Sequence, residues 1–465
     1  MVEESSKAVS FVIGNEMRLV YGQDYTKTTA PTARLESFRA LLHLAAAHDW
    51  DAQQIDVKTA FLYGLLPKDE VQYMEQPGSF QEPGKEDWVW ELLRGLYGMK
   101  QSGRIWNKTM HEAMVGWGFQ RLICEWCVYY RKTSAGVVLV AVHVDDMLSV
   151  ASSREENERF KQQLQSKWKI SDLGDIHFAL GIAVERDRAT HTILLSQTAL
   201  IDRIISQFRQ KDSHPVSTPM DSAVKLRRPD PRTPLPADQA QYLSSVPYQS
   251  LVGSLMYLAI GTRPDIAYAV NRLAGFLNCY RAEHWHAACR VVRYLKGTRG
   301  LRLTLGGRAA LQLVGFTDSD YANCLDTRRS ISGHCFSLGS GMISWSSRRQ
   351  RTVADSTCYA EYIAAHSASR ECMWLRSFLA GIDHTPRTPT PLMIDNNAAM
   401  KLAEDQQFHS EAKHIEIKYH VLRDYVADGH IVLQHVRSAE NTADILTKAL
   451  APITFIRLRG LLGLR

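Results

Sequence analysis

The stretch Val140-Ala141-Val142-His143-Val144-Asp145-Asp146-Met147-Leu148 places two adjacent carboxylates at the end of an apolar, largely β-branched run. Neighbouring ionised Asp side chains repel each other and resist desolvation, so such a pair needs either a divalent cation or a turn that leaves both in water. Branched aliphatic residues lead into it from Val137, and Met147-Leu148-Ser149-Val150-Ala151 leads out of it in strand-like fashion. The pair therefore reads as the tip of a hairpin. Taken alone it is a solvated turn or a metal site, and an acid elsewhere in the chain has to decide between them.

That acid is Asp56, in Gln54-Ile55-Asp56-Val57-Lys58-Thr59-Ala60-Phe61-Leu62, where one carboxylate interrupts an apolar, β-capable segment. Two-metal phosphoryl transfer uses acidic ligands to hold cations about 4 Å apart, one serving the attacking oxygen and the other the leaving oxygen. Asp56, Asp145 and Asp146 supply three such ligands. Between them lies Leu96-Tyr97-Gly98-Met99-Lys100-Gln101-Ser102-Gly103-Arg104-Ile105-Trp106. In order and spacing these three segments resemble the polymerase motifs of copia-type LTR retrotransposon reverse transcriptases. The resemblance implies a palm-type polymerase in which Asp56, Asp145 and Asp146 are catalytic and bind two Mg²⁺ or Mn²⁺ ions.

A length of 465 residues exceeds what one compact core fills, and a 22% charged, 45% hydrophobic composition is that of a folded multidomain protein. The net charge of +6 permits a nucleic-acid partner without requiring one. The N-terminus has no signal-peptide pattern, and the apolar run from Ala135 to Val144 is about half of what spans a bilayer, so no membrane partner and an intracellular location are expected. Eight scattered cysteines fit reduced thiols. Cys124-Glu125-Trp126-Cys127 lacks a matching second pair of ligands and reads as packing.

Apolar spacing predicts helices over 35–49, 104–117 and 155–168, alternating with strands as in a palm core. Residues 211–247 hold seven prolines and read as an extended surface segment or linker. Helical patterns resume at 248–258, 262–270 and 284–296. The series Arg290, Arg293, Lys296, Arg299 and Arg302 reads either as a track for phosphates or as a solvated face.

A second set of acids begins at Leu313-Val314-Gly315-Phe316-Thr317, an expected strand that ends in Asp318-Ser319-Asp320. Strands are expected over 334–338 and 341–346, and a helix from about Tyr359 carries Glu361. Leu392-Met393-Ile394-Asp395 puts Asp395 at a strand end, and Asn441-Thr442-Ala443-Asp444-Ile445-Leu446-Thr447-Lys448 puts Asp444 in an expected C-terminal helix. Asp318, Glu361, Asp395 and Asp444, in that order, resemble the four-acid site of the RNase H fold. The likeness implies catalytic carboxylates that hold a second pair of Mg²⁺ or Mn²⁺ ions, hard cations that prefer oxygen ligands. Asp320 is left outside that set. His414 matches a family segment, whereas His435, in a strand-like run, does not match the mobile His of some RNase H enzymes.

The polymerase resemblance further implies that Phe61 lies under the incoming sugar and excludes a 2'-hydroxyl. Gly98, Lys100, Gln101 and Ser102 would lie along nucleotide and template, and Arg34 would meet the triphosphate. His143, Gly103 and Tyr359 depart from the family's Tyr, Pro and Glu, and none of them is a metal ligand. Few residues precede Tyr21-Gly22-Gln23-Asp24-Tyr25, so the fingers are expected to be incomplete. The expected fold is thus an α+β and α/β multidomain chain: reverse transcriptase fingers and palm over 1–170, a connection or thumb-like region over 171–305, an RNase H-like domain over 306–450 and a tail over 451–465. The implied function is RNA-directed DNA polymerase with RNase H activity, acting on an RNA template, a DNA primer, RNA–DNA hybrid and deoxynucleoside triphosphates. It would work in a cytoplasmic particle or the nucleus. The alternative is a decayed or truncated remnant that binds nucleic acid without polymerising, with or without its ribonuclease; no sequence feature sets the oligomeric state.

Overall fold

The computed structural model describes residues 25–230, 232–233, 235–404 and 420–465. The expectations for the fingers N-terminal to Tyr25 and for His414 fall outside these residues. The described chain divides into two compact units, one running to Leu41 and from Trp50 to Ile176, the other comprising Leu42–Asp49 and His177–Arg465.

The first unit contains the start of α1 (Leu35–Ala47), then β1 (Asp51–Val57), β2 (Gln72–Glu75), β3 (Val89–Leu92), α2 (Ser102–Gly116), β4 (Gln120–Arg121), β5 (Val128–Thr133), β6 (Gly136–His143), β7 (Asp146–Ala151), α3 (Arg154–Gln165) and β8 (Ile170–Asp175). β2 and β3 form a sheet of their own, and the other strands make one sheet in the order β4-β5-β6-β7-β1-β8. Every pair in it is antiparallel. The period of two places Val138, Val140 and Val142 of β6 on one face, in a core with Trp106, Met110 and Met114 of α2 and Phe160 and Leu164 of α3. Each such side chain contributes roughly 1.5–3 kcal/mol by leaving water. Ser153 caps α3 by accepting from Glu156 N, and Glu155 and Glu156 suit the positive end of the helix. Asn157 of α3 donates to the buried Asp51 carboxylate at 2.7 Å, which ties the start of β1 to that helix. The other end of β1 carries Asp56.

The second unit contains β9 (Phe178–Ala179), β10 (Ile182–Asp187), β11 (Thr192–Ser196), α4 (Thr198–Gln207), α5 (Ala237–Ser245), α6 (Tyr248–Gly261), α7 (Ala267–Ala274), α8 (Ala282–Gly297), β12 (Leu303–Gly306), β13 (Val314–Asp320), β14 (Ile331–Ser337), β15 (Met342–Arg349), α9 (Thr357–Gly381), β16 (Thr390–Ile394), α10 (Asn397–Glu404), α11 (Val421–Ala427), β17 (Ile431–His435) and α12 (Pro452–Leu461). One sheet runs β12-β11-β10-β9 and another β15-β14-β13-β16-β17. In the latter, β13, β14 and β15 pair antiparallel, while β16 and β17 join β13 in parallel. With α9 packed across β13 and β14, three antiparallel strands and two parallel ones form a single mixed sheet.

β13 ends in Asp318-Ser319-Asp320 as expected, these residues pairing with Gly333, Ser332 and Ile331. Other expectations need correction. Asp444 lies in a 3₁₀ turn, Thr442–Leu446, rather than an α-helix. The proline-rich stretch is largely exposed, as expected of an extended surface segment, but it also includes α5 and buries Thr218, Met220, Leu226 and Leu243. The basic series lies on a half-buried to exposed face, and its members also bind the chain itself. Arg290 donates to Thr218 Oγ1 at 3.1 Å, Arg293 to His214 O at 2.7 Å and Lys296 to Ser213 O at 2.8 Å. Arg299 pairs with Asp202 at 2.7 Å through Nη2, and Arg302 pairs with Glu185. Residues 451–465, expected as a tail, form α12 and bury Phe455, Leu458, Leu462 and Leu464. No helix among the described residues is long and apolar enough to cross a membrane.

Candidate functional site

In the first unit, β6 and β7 are joined through Val144 and Asp145, with His143 opposite Asp146. On its other edge β7 pairs with β1, which sets Asp56 opposite Asp146. Val57 N donates to Asp145 O at 2.9 Å, so all three acids expected of the polymerase meet at one end of the sheet. Each is half-buried. Burial raises the Asp56 carboxyl above the usual range, and Asp145 and Asp146 add to the rise. Burial, and then Asp146, raise the Asp145 carboxyl, against lowering contributions from its own backbone N–H and from His143.

Phe61 follows in a 3₁₀ turn, Ala60–Tyr63, and its ring lies 4.7 Å from that of Tyr97. Tyr97, quoted in the sequence motif but given no role there, senses both Asp145 and Asp56, which raise its hydroxyl after burial does. Gly98 and Lys100 are exposed, and Gly98 takes φ 99, a conformation that favours glycine. Gln101 and Ser102 are instead buried, and the Ser102 hydroxyl donates to Leu96 O at 2.6 Å, so its polar group shapes the loop. Arg34 sits just before α1, with its backbone N–H donating to the buried Glu125 at 3.3 Å and its guanidinium 3.6 Å from Glu36. Cys124 and Cys127 are free thiols, and burial pushes Cys127 up to about 12, a poor state for a metal ligand.

In the second unit, Asp318, Glu361 and Asp395 bring carboxylate oxygens within 4.8 Å of one another. The topology accounts for this. Phe316 of β13 pairs with Met393 of β16, and continuing that parallel register sets Asp395 beside Asp318. Glu361 reaches in from the first turns of α9 and accepts from Ser319 N at 3.2 Å. The fourth acid arrives on the 3₁₀ turn, where Asn441 donates to Thr317 O at 2.9 Å and accepts from Ala443 N. Gly333 lets the turn come close, since a Cβ there would lie 2.7 Å from Thr447 Cγ2 and 2.9 Å from Leu446 Cβ. Thr447 donates its hydroxyl to Asp318, and Lys448 lies 2.9 Å from Asp444 and 4.0 Å from Asp318.

Burial and the neighbouring Asp444 push Asp318 up to about 7. Glu361 is raised further, by burial and then by Asp318 and Asp395. Burial also raises Asp444, against the pull of Lys448. Glu361 Oε2 is buried without a hydrogen-bond donor. Converging carboxylates, one carrying an unsatisfied oxygen, are a donor set that fits a hard divalent cation. Asp320 stands apart: its carboxylate accepts from Ile331 N and burial raises it to about 6. Sequence reasoning missed Thr447 and Lys448, although both stand in the segment quoted for Asp444; a hydroxyl and a cation just after a candidate ligand were the available signal.

Fold and acids together define a chain of reverse transcriptase type that carries a second group of acids on a later mixed sheet. The profile of the reverse transcriptase (RNA-dependent DNA polymerase) family matches residues 3–222. The chain is 36% identical over 444 residues to the retrovirus-related Pol polyprotein from transposon TNT 1-94 of Nicotiana tabacum, covering 95% of this chain and 33% of that protein. It is 33% identical over 440 residues to the Pol polyprotein from transposon RE2 of Arabidopsis thaliana, covering 93% of this chain and 29% of that one. A putative transposon Ty5-1 protein of Saccharomyces cerevisiae is 33% identical over 319 residues, 68% of this chain and all of that protein. The chain belongs to the copia-type retrotransposon Pol family. It spans about a third or less of the length of the tobacco and Arabidopsis polyproteins.

Proposed function

We propose that the chain is an RNA-directed DNA polymerase joined to a ribonuclease H, with the two reactions at separate carboxylate sites. The observation that carries this reading is the gathering of seven acids, from six separate stretches of sequence, into two groups on different sheets. In this reading residues 1–170 form the polymerase, 171–305 connect it, 306–450 form the ribonuclease and 451–465 close the chain. Asp56, Asp145 and Asp146 hold divalent cations in the first site, and Asp318, Glu361, Asp395 and Asp444 in the second. Those cations, when bound, activate the attacking oxygen and take up charge on the leaving one. Phe61 and Tyr97 form the wall beside the first site, where an aromatic ring leaves no room for a 2'-hydroxyl. Gly98 and Lys100 face nucleotide and template from the exposed loop, Gln101 and Ser102 fix that loop, and Arg34 is the cation for the triphosphate.

RNA template, DNA primer and hybrid are recognised through phosphates and helix shape, so binding is strongly salt-dependent. The test uses the purified chain, a primed RNA template and Mg²⁺ or Mn²⁺, scoring DNA extension and RNA cleavage together. Asp145→Asn is expected to abolish extension alone, and Asp318→Asn to abolish cleavage alone. If each substitution spares the activity assigned to it, the two-site reading is wrong; if the wild-type chain does neither reaction, it is a remnant.

A further inference from the structure

Two-residue hairpin turns place a positive φ at their first central position, where Gly, Asn or Asp is usual. Here that position is Val144, a β-branched residue at φ 61, while Asp145 beside it keeps a negative φ. A β-branched side chain in the left-handed region is an outlier and persists only where its surroundings over-determine it. The restraint comes from α2. The buried indole of Trp106 donates from Nε1 to Val144 O at 2.6 Å. That carbonyl belongs to the peptide linking Val144 to Asp145, so fixing it fixes the plane from which Asp145 departs. The indole is itself caged, edge-on to Trp168 at 5.2 Å and tilted against Tyr63 at 6.4 Å. Tyr63 in turn accepts from Lys169 N at 3.0 Å.

We propose that Trp106 is a positioning residue for the first acid site: its indole N–H holds Val144 in the left-handed turn and thereby aims Asp145 at Asp56. The proposal rests on the reading of Asp56, Asp145 and Asp146 as a cation site. The bond resists rotation of the Val144–Asp145 peptide, which the valine side chain would otherwise favour. It also explains why the chain tolerates valine where glycine is the unstrained choice: the turn draws its order from the tertiary bond. Packing alone would need only the ring, so the N–H is the part of Trp106 that the proposal singles out.

The experiment uses the full chain with Trp106→Phe, which keeps a ring and removes the donor, Val144→Gly, which removes the backbone penalty, and both together. Hydrogen exchange of peptides spanning 143–148 reads the turn. Mn²⁺ titration followed by electron paramagnetic resonance reads the site, in a background of Asp318→Asn and Glu361→Gln that silences the second cluster. Trp106→Phe is expected to speed exchange in 143–148 about tenfold or more and to weaken Mn²⁺ binding by a similar factor, the scale of one lost buried hydrogen bond. Adding Val144→Gly is expected to restore most of both, because glycine holds the turn without help. Unchanged exchange in Trp106→Phe, or no recovery in the double variant, would make Trp106 a packing residue and overturn the proposal. Should Trp106→Phe fail to fold, recovery of folding by Val144→Gly supports the proposal and failure to recover refutes it. If Mn²⁺ binding in the starting background does not depend on Asp145, the cation-site reading fails, and exchange still decides what Trp106 does to the turn.

Discussion

Replacing Asp318 with asparagine should stabilise the metal-free protein at alkaline pH while removing its response to divalent cations. Asp318 is 2% exposed and faces Asp444 and Asp395, and its carboxyl is held at about 7 where 3.8 is ordinary. The folded state therefore keeps a proton that the unfolded chain gives up near pH 4. That preference stabilises the fold at low pH, and it is lost progressively as pH rises towards 7. At about 1.4 kcal/mol per pH unit, ionising Asp318 in the metal-free fold costs at most about 4 kcal/mol at pH 8. Asparagine keeps an oxygen for the Thr447 hydroxyl and never ionises, so a gain on the order of 2–4 kcal/mol is expected, several degrees in melting temperature. Calorimetric melting in EDTA and in Mn²⁺, at pH 5 and pH 8, reads this directly. The variant should exceed wild type in EDTA at both pH values, by about 1–2 kcal/mol at pH 5 and by two to three times as much at pH 8, and lose most of the Mn²⁺-dependent rise. A variant that melts below wild type in EDTA at pH 8, or retains the full Mn²⁺ rise, would refute the reasoning.

Lys448→Met removes the ammonium lying 2.9 Å from Asp444; the metal-free melting temperature should fall and Mn²⁺ affinity rise, since the cation no longer competes with a lysine, and calorimetric titration measures both. Gly333→Ala forces a methyl to 2.7 Å from Thr447 Cγ2 and should cost about 1–3 kcal/mol. Gly253→Ala in α6, where a Cβ meets nothing within 4 Å, should gain up to about 1 kcal/mol; parallel thermal melts compare the two. Asp265→Ala strands the Arg263 guanidinium, 2.7 Å away and 1% exposed, and should cost about 3–5 kcal/mol. Asp202→Ala, at the solvent-exposed pair with Arg299, should cost under about 1 kcal/mol, and urea denaturation separates these cases.

The sequence carried the positions of the acids because each interrupts an apolar pattern: Asp56 within β1, Asp145 and Asp146 after β6, Asp395 after β16. The end of β13 was legible too, its pairing with β14 running through Asp318-Ser319-Asp320. The sequence did not carry the fate of the prolines and the basic series, which depend on each other. The cations of α8 find their acceptors on the carbonyls of 213–214 and on Thr218, and only the tertiary fold brings those within reach. The turn around Asp444 was read as helix from composition, whereas Asn441 bonding to Thr317 O pins it as a 3₁₀ turn against β13.

The two groups of acids answer the same electrostatic problem in different ways. At the first site the carboxylates stay half-buried at the end of a sheet, where water screens part of their repulsion, and order is imposed on the backbone through Val144. At the second, Asp318, Glu361 and Asp444 are each less than 8% exposed, so repulsion is relieved by retained protons, by the Thr447 hydroxyl and by the Lys448 ammonium. A site of the first kind loses geometry when its turn loosens, while one of the second kind loses stability when its protons leave without a cation to replace them. Divalent ions should therefore protect the second unit against alkaline unfolding more than the first. The same ions should slow exchange in the 143–148 turn without raising the melting temperature of the first unit to a similar degree.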